Sequence, residues 1–249
     1  SMLFTGCSKK AESKVPDKLI VGTNAEFPPF EYMNDKKQPE GFDIAMIKEI
    51  GKRMGKKVEI KNMEFKSLIG AMESDSINAI IAGMTKTEKR EKAVDFSDSY
   101  YTTNQAIILK KDSKITKLAQ LDGKKIGVQE GTTGDLISSG DKFGDGKKAK
   151  VLVKGAKVNR FKKGVDAVMD LKNGSVDAVV IDELTANEFV KKNAKKLKIV
   201  IDSAGSEYYC IALTKGNTAY KEEVNKQIKA IKEDGTYDKL KAKYIDSKN

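Results

Sequence analysis

The 249-residue sequence predicts an α/β protein with two lobes, between which the chain crosses twice. The first observation behind this prediction is a repeated alternation of short apolar runs, typical of buried strands, with segments that have apolar residues at helical spacing. The second is a pair of interruptions in that alternation, at residues 94–104 and 203–207. A chain of this length suits one large domain or two of ordinary size, so two lobes fit it.

From Lys18 onward the first alternation predicts a βαβαβ unit, and hence a mostly parallel sheet with helices on its faces. The longer predicted helix has isoleucines at helical spacing and ends at Gly55. In order, the predicted elements are a strand at 19–23, a helix at 42–54, a strand at 58–60, a short helix at 68–72 and a strand at 79–82.

The second alternation lies between the two interruptions. Its predicted elements are strands at 106–109 and 125–128, a helix from about residue 133, a strand at 151–153, a helix at 161–172, a strand at 178–181, a helix at 183–193 and a strand at 199–201. After the second interruption come a predicted strand at 208–213 and helices at 220–233 and 237–244. Because clefts between such lobes are common ligand sites, we expect the functional residues at the lobe boundary.

The composition disfavours several functional classes. Hydrophobic residues make up 39% of the chain, which suits a soluble globular protein. The net charge is +11, but the lysines are interleaved with acids, and we see no arginine-rich or aromatic-plus-basic segment. We therefore expect a solvated lysine-rich surface, suited also to a nearby anionic membrane, and no nucleic-acid partner. The chain has no histidine, the commonest general base and metal ligand, and neither a metal nor a cofactor is expected.

The two cysteines are too far apart in sequence for a CxxC metal or redox site. Cys210 lies in an apolar strand pattern and is predicted to be a buried thiol. Cys7 ends a short apolar segment that resembles the end of a bacterial lipoprotein signal, in which the cysteine is lipidated, although Phe4 replaces the usual aliphatic residue. Residues 1–16 are therefore predicted to be a lipoprotein tether of an extracytoplasmic protein, and a tail without function is the alternative. Nothing after them approaches the length of a transmembrane helix.

The segment from Ala82 to Arg90 has the features of an anion site. It follows a predicted buried strand, and Gly83 lets another molecule approach the backbone closely. Thr85 or Thr87 can cap the helix that follows, whose N-terminus presents free N–H groups and positive potential. The guanidinium of Arg90 can hold a carboxylate with two parallel hydrogen bonds. The alternative is an ordinary helix cap beside a solvated arginine.

Seven separated stretches form a pattern along the chain. They are Thr23–Glu31, Gly41–Asp43, Ala82–Thr85 with Arg90, Val94–Ser97, Gly127–Gly134, Asp177–Asp182 and Asp234–Tyr237. In register across nearly the whole chain, they resemble the polar amino acid-binding proteins that feed ABC importers, bacterial solute-binding protein family 3, with its arginine- and glutamine-binding members. The resemblance implies a periplasmic-binding-protein-like fold of type II, in which two α/β lobes on a two-strand hinge close on the ligand. It implies a first lobe at 17–103 and 207–249 and a second lobe at 104–206.

The resemblance assigns residues to the ligand carboxylate. Arg90 matches the arginine that binds the carboxylate in this family. Thr85 and the backbone of Thr132 and Thr133 match its further donors. The physical argument agrees, because a free amino acid is a zwitterion and needs a cationic partner.

Other residues are assigned to the ligand's α-ammonium group. Asp182 matches the acid that binds this group, which the carbonyl of Gly83 and the hydroxyl of Thr85 would share. Ala82 and Met84 belong to the same implied contact segment. Taken alone, Asp182 would be interpreted as the cap of the helix that follows it.

The resemblance also implies a pocket for the ligand side chain. Phe27 and Phe65 match positions whose rings enclose that side chain, although each phenylalanine alone would be assigned to the core. Asn24 and Gln129 match positions that reach the far end of the ligand.

The preferred ligand is predicted from charge and shape. Glu26 and Glu130 add negative charge beside the pocket, and two phenyl faces suit a flat guanidinium, so we expect a basic amino acid, with arginine ahead of lysine. Many family members have an aspartate where this chain has Asn24, which would favour a basic ligand more clearly. Glutamine or another neutral polar amino acid is therefore the alternative.

These inferences predict a monomeric binding protein whose partners are a free L-amino acid and the membrane permease of an ABC importer. An enzyme on the same scaffold, such as a dehydratase, would need Glu26, Glu130 or Asp182 as its acid or base. A receptor sensor domain and a nucleic-acid-binding protein are disfavoured, because the sequence shows neither a spanning helix nor a basic recognition segment.

Overall fold

The structure, a computed structural model, describes residues 13–140 and 152–246. Its strands are β1 (Lys18–Thr23), β2 (Glu26–Phe27), β3 (Glu31–Met33), β4 (Pro39–Glu40), β5 (Lys57–Asn62), β6 (Ala79–Ile80), β7 (Val94–Lys110), β8 (Lys125–Gln129), β9 (Lys157–Phe161), β10 (Ala178–Asp182) and β11 (Leu197–Thr214). Its α-helices are α1 (Phe42–Arg53), α2 (Leu68–Glu73), α3 (Glu88–Glu91), α4 (Thr133–Ser139), α5 (Gly164–Asn173), α6 (Glu183–Lys191), α7 (Thr218–Glu233) and α8 (Thr236–Tyr244). Cys7 and most of the predicted tether lie outside the described residues.

Eight strands form one sheet in the order β5-β1-β6-β11-β7-β10-β8-β9, and β2, β3 and β4 form a small antiparallel sheet. The pairs of β1 with β5 and β6, and of β8 with β9 and β10, are parallel. The pairs that involve β7 or β11 are antiparallel. The predicted parallel units therefore form the two lobes, and the two long strands join them.

The lobes are connected by β7 and β11, which pair antiparallel from Leu197 with Lys110 to Thr214 with Val94. The register of this pair shifts between Asp202 and Glu207. The sequence predicted that residues 94–104 and 203–207 interrupt the alternation, whereas the backbone stays in the sheet at both places. The reason is that buried and part-exposed residues are mixed along this stretch of β7, so it lacks a continuous apolar run.

The prediction of a strand at residues 151–153 is wrong for its described part, because Leu152 and Val153 are not in a strand. The strand is β9 instead, and α5 begins at Gly164 rather than at Phe161. β9 lies at the edge of the sheet and pairs only with β8 among the described strands. Edge strands carry charged side chains that hide the apolar pattern, here Lys157 and Arg160.

Three apolar clusters hold these elements together. The largest includes side chains from both lobes, such as Leu19 and Val179. The second packs α2 against β6 in the first lobe, and the third packs α4 against β8 in the second lobe. Cys210 belongs to the second cluster and is 2% exposed, which confirms the predicted buried thiol. Over the described ranges, the helices lack the length or the apolar character needed to cross a membrane.

Candidate functional site

The candidate site lies where the carboxyl ends of β6, β8 and β10 meet between the lobes. The sequence left open whether Thr85 or Thr87 caps α3, and the structure shows Thr87, whose hydroxyl oxygen accepts the N–H of Arg90 at 3.1 Å. At the start of α4, the hydroxyl of Thr132 likewise accepts the N–H of Asp135 at 3.3 Å. These caps fix the first turns of both helices and direct them toward the cleft.

A narrow cavity lies between the lobes, and the atom-free space in and around it, open solvent included, is about 210 Å³. The residues that line it are Phe27, Phe65, Gly83, Thr85, Arg90, Thr132, Thr133 and Asp182. All eight are among the site residues predicted from the sequence. The other five predicted residues, Asn24, Glu26, Ala82, Met84 and Gln129, are not among the residues that line it.

Arg90 is held in place from both lobes. Its Nη1 donates to the carbonyl oxygen of Thr85 at 2.7 Å, and its Nη2 donates to the carbonyl oxygen of Gly131 at 3.0 Å. Its guanidinium carbon lies 5.4 Å from the centre of the Phe65 ring. Burial lowers the pKa of Arg90 to about 10, while Glu207 and Asp182 act in the opposite direction, so the group is a cation at neutral pH. The side chain is thus a buried, oriented cation at the wall of the cavity.

Asp182 is the anion on the other side of the cavity. It occupies the N-cap position of α6, as its alternative interpretation required, but its side chain makes no capping hydrogen bond. Its Oδ1 accepts from Gln105 Nε2 at 2.8 Å, and its Oδ2 accepts a short hydrogen bond from the Tyr209 hydroxyl. The carboxylate is therefore oriented by the two long strands rather than by the helix that follows it.

Sequence reasoning missed Tyr209 and two further residues of this network, Gln105 on β7 and Glu207 on β11. The Nε2 of Gln105, a fully buried residue, lies within hydrogen-bond distance of Thr133 Oγ1 at 3.0 Å, Asp182 Oδ1 at 2.8 Å and Glu207 Oε2 at 2.6 Å. The available signal was a polar residue directly before an apolar run, which occurs at both positions. Glu207 and Asp182 are also the two acidic residues whose charges raise the pKa of Arg90.

Gly83 has a left-handed backbone conformation, which glycine adopts readily and other residues adopt rarely. Its φ is +53°, and a Cβ built there would lie 3.0 Å from the ring of Phe27. Its N–H donates to Asp43 Oδ2 at 2.7 Å. The neighbours Ala82 and Met84 point their side chains into the second apolar cluster, so only their backbone could face a ligand.

Several contacts cross between the lobes. Gln129 Nε2 donates to Asn24 Oδ1 at 2.8 Å, and the Thr185 hydroxyl donates to the carbonyl of Pro28 at 2.8 Å. Together with the bond from Arg90 to Gly131, these contacts bring the lobes together over the cavity.

The two glutamates predicted to charge the pocket lie beside lysines. Glu26 is 3.6 Å from Lys163, and Glu130 is 3.3 Å from Lys66. All four side chains are partly exposed. Both carboxylates are thus partly neutralised, and Glu26 is not among the residues that line the cavity.

Arg90 and Asp182 both line this cavity, so it offers a basic and an acidic side chain, the two partners that a zwitterion needs. Within residues 13–140 and 152–246, no cluster of three or more acidic or cysteine side chains is placed to hold a metal ion.

A two-lobed α/β fold with a cavity between the lobes that is lined by a basic and an acidic side chain is typical of solute-binding proteins. The sequence model of the bacterial extracellular solute-binding proteins, family 3, matches residues 19–247, and the chain belongs to this family.

Relatives with known names agree with this assignment. The chain is 34% identical over 243 residues to the arginine-binding extracellular protein ArtP of Bacillus subtilis, which covers 96% of this chain and 91% of that protein. It is 42% identical to an ancestral arginine-binding protein whose structure was solved with arginine, over 93% of this chain and all of that one, with a TM-score of 0.82. The structure of an ancestral arginine-binding protein bound to glutamine matches at 41% identity over 93% of this chain and 99% of that one, with a TM-score of 0.82.

Proposed function

We propose that this protein binds a free L-amino acid in the cavity between its lobes and delivers it to the permease of an ABC importer. The observation that carries the proposal is the placement of Arg90 and Asp182 on one small, largely enclosed cavity. A zwitterion pairs its carboxylate with the first and its α-ammonium with the second. Each pairing compensates the desolvation of a buried charge, which would otherwise cost several kcal/mol.

The remaining lining residues complete the recognition of the ligand backbone. At the start of α4, the N–H of Thr133 donates to the ligand carboxylate together with Arg90. The N–H of Thr132, which makes a long 3.4 Å hydrogen bond to the carbonyl of Gln129, turns to the same carboxylate. The hydroxyl of Thr85 is buried without a hydrogen-bond partner among the described residues, and it is free to contact the ammonium group. The backbone of Gly83 lies at the same wall of the cavity.

We propose a preference for a basic amino acid, with arginine ahead of lysine. Phe27 and Phe65 offer apolar faces on which a flat, weakly hydrated guanidinium can lie. The carboxylate of Glu207 lies near enough to Arg90 to act on its pKa, and a carboxylate near the cavity favours a ligand with an additional positive charge. The Oε1 of Gln129 is buried without a described hydrogen-bond partner and can accept from the guanidinium. The relatives named for arginine support the same choice.

Glutamine is the second candidate, and one observation favours it. The carboxylates of Glu26 and Glu130 lie beside lysines, whereas two amides, Asn24 and Gln129, are buried and bonded to each other between the lobes. Amides recognise an amide as readily as a guanidinium. The related structure with glutamine bound shows that this chemistry occurs in a close relative.

The test is a competition experiment with arginine, lysine, glutamine and histidine at equal concentration, read by calorimetry and thermal shift. A ligand at 100 times its dissociation constant should add about 2.7 kcal/mol to the free energy of unfolding. We expect arginine to displace the other three. If glutamine displaces arginine, the proposed preference for a basic amino acid is wrong. If none of the twenty amino acids shifts the melting temperature, the proposed function is wrong.

We further propose that the ligand is bound without chemical change. Asp182 accepts hydrogen bonds from Gln105 and Tyr209, which orient its carboxylate for an ion pair with an ammonium group. Recovery of the bound amino acid unchanged after prolonged incubation is the expected result. A new product in the mass spectrum would favour a dehydratase-like enzyme instead.

We propose that residues 17–103 and 207–249 move together as one lobe and that residues 104–206 move as the other. We also propose that the protein is an extracytoplasmic monomer and that a lipid on Cys7 anchors it. The register shift in β11 supports bending at the crossing, since an irregular ladder is easier to deform. Small-angle scattering should show a monomer that becomes more compact with ligand. Mass spectrometry of the membrane-extracted protein should show lipid on Cys7, and an unmodified thiol would exclude the anchor.

A further inference from the structure

We infer that Asp43 is a positioning residue for the ligand-contacting loop, and that it works as one half of a buried acid pair with Glu31. The part of this inference that concerns ligand binding rests on the proposed function, whereas the part that concerns stability does not. Neither side chain lines the cavity, and both are fully buried. Asp43 Oδ2 accepts the N–H of Gly83 at 2.7 Å, so the pair is bonded to the loop that forms one wall of the cavity.

The local fold brings the two carboxyl groups together. The N–H of Phe42 donates to the carbonyl of Pro29 at 3.1 Å, and the N–H of Asp43 donates to the carbonyl of Phe30 at 2.9 Å. The start of α1 is therefore bonded to the residues just before β3. Glu31 is the first residue of β3, and Asp43 lies in the first turn of α1.

The hydrogen bonding is complete only if the pair holds a proton. If both groups are carboxylates, both oxygens of Glu31 and the Oδ1 of Asp43 are buried without a donor among the described residues. Two buried like charges in contact are strongly unfavourable, and unpaired buried carboxylate oxygens are costly as well. One proton between the groups removes the repulsion and supplies the missing hydrogen bond, as in other carboxylate pairs.

The proton belongs on Glu31. Burial raises the pKa of Asp43 as well, but the hydrogen bond from Gly83, the Tyr100 hydroxyl and the N-terminus of α1 act in the opposite direction and favour its anionic form. Burial, the charge of Asp43 and the more distant charge of Asp182 all raise the pKa of Glu31 well above its usual value. Tyr100 is the other titratable group that faces the pair, and it interacts in turn with Cys210.

The expected pH dependence follows from the sign of this shift. A carboxyl group whose pKa is raised by folding stabilises the fold while it is protonated, and this stability is lost as the pH rises toward the raised pKa. Glu31→Gln keeps the shape and the donor of the protonated acid and cannot ionise. We therefore expect the melting temperature of the unmodified protein, measured without ligand, to fall relative to that of Glu31→Gln between pH 5 and pH 9.

The binding measurement uses the same variants with arginine. Asp43→Ala removes the acceptor of Gly83 and should weaken binding about 5- to 100-fold, the range expected when a buried N–H loses its partner. Asp43→Asn retains an acceptor oxygen for Gly83 and offers its NH₂ to Glu31, so it should restore most of the affinity. Asp35→Asn, an exposed site on the same lobe, is the matched control and should change neither readout.

Two results would overturn the inference. One is a Glu31→Gln variant that unfolds or loses binding as severely as Asp43→Ala. The other is a melting temperature of the unmodified protein that follows Glu31→Gln at every pH. Because unfolding is measured without ligand, a failure of arginine to bind would reject the proposed ligand and leave this test intact.

Discussion

The side-chain amide of Gln129 donates to the side-chain oxygen of Asn24 at 2.8 Å, and this hydrogen bond joins the second lobe to the first across the cleft. The Asn24 amide in turn donates to the carbonyl of Met63 at 2.8 Å. Both side chains are buried. The pair thus belongs to the closed arrangement of the lobes, and opening the cleft must break it.

We expect Asn24 and Gln129 to be energetically coupled in ligand binding. The affinities of Asn24→Ala, Gln129→Ala and the double variant for arginine should give a coupling energy of about 0.5–1.5 kcal/mol, the net worth of one buried hydrogen bond. The same double-mutant cycle on the more exposed ion pair of Lys66 and Glu130 is the control. Its coupling energy should be smaller, because solvent screens the ion pair. Additive effects at Asn24 and Gln129 would contradict the role of this bond in closure.

Replacement of either charged residue of the cavity should abolish measurable amino acid binding. Arg90→Ala and Asp182→Asn each leave one charge of the ligand without its buried partner, a loss of about 2–5 kcal/mol. Calorimetry is the measurement. Arg53→Ala and Asp166→Asn, which alter surface residues away from the cavity, should bind as the unmodified protein does. Near-normal affinity in Arg90→Ala or Asp182→Asn would reject that residue as an anchor.

The cap at Thr87 should affect both stability and affinity. Thr87→Ala removes the oxygen that accepts the N–H of Arg90, at a cost of about 1 kcal/mol in the free energy of unfolding, and it loosens the helix that carries the guanidinium. Asn217→Ala removes the corresponding cap of α7, far from the cavity, and should lower stability alone. Denaturant unfolding and calorimetry separate the two effects. Equal affinities in both variants would show that α3 needs no cap to present Arg90.

Cys210 should be unreactive in the folded protein. It is 2% exposed, and burial raises the pKa of its thiol to about 12, so almost no thiolate forms below pH 10. In a Cys7→Ser variant, which leaves one thiol, a disulfide reagent at pH 8 should label the protein only after denaturant is added. Rapid labelling of the native protein would show that the second apolar cluster opens locally.

The charged anchors were predictable because each follows an apolar strand that ends at the cleft. Arg90 and Asp182 could thus be selected from local pattern and resemblance together, and the structure places both on one cavity. Gln105 was missed because a polar residue before an apolar run is too weak a signal to assign a role. Its importance comes from partners that are distant in sequence, Asp182 and Glu207, and the sequence around Gln105 does not reveal such tertiary contacts.

The fold was predicted well where apolar and polar residues alternate with a regular period. The prediction failed at β9, where charges on an edge strand hide the period, and at the interruption in β7, where polar residues continue the sheet. The sequence also did not predict that the partly exposed Glu26 lies near Lys163. These two residues belong to different lobes, so their contact depends on how the lobes approach each other. Local pattern identified the elements, and the assembly of the lobes decided which side chains meet.

The position of β11 in the sheet has a consequence for biosynthesis. In the first lobe its second half lies between β6 and β7, whereas in the second lobe its first half is only an edge strand beside β7. As the polypeptide emerges from the ribosome or the export channel, the second lobe can assemble most of its sheet before β11 arrives. The first lobe must wait for that strand to fill its centre. The nascent protein therefore completes its internal lobe first, and it gains a ligand-competent cleft only when its C-terminal segment has been delivered.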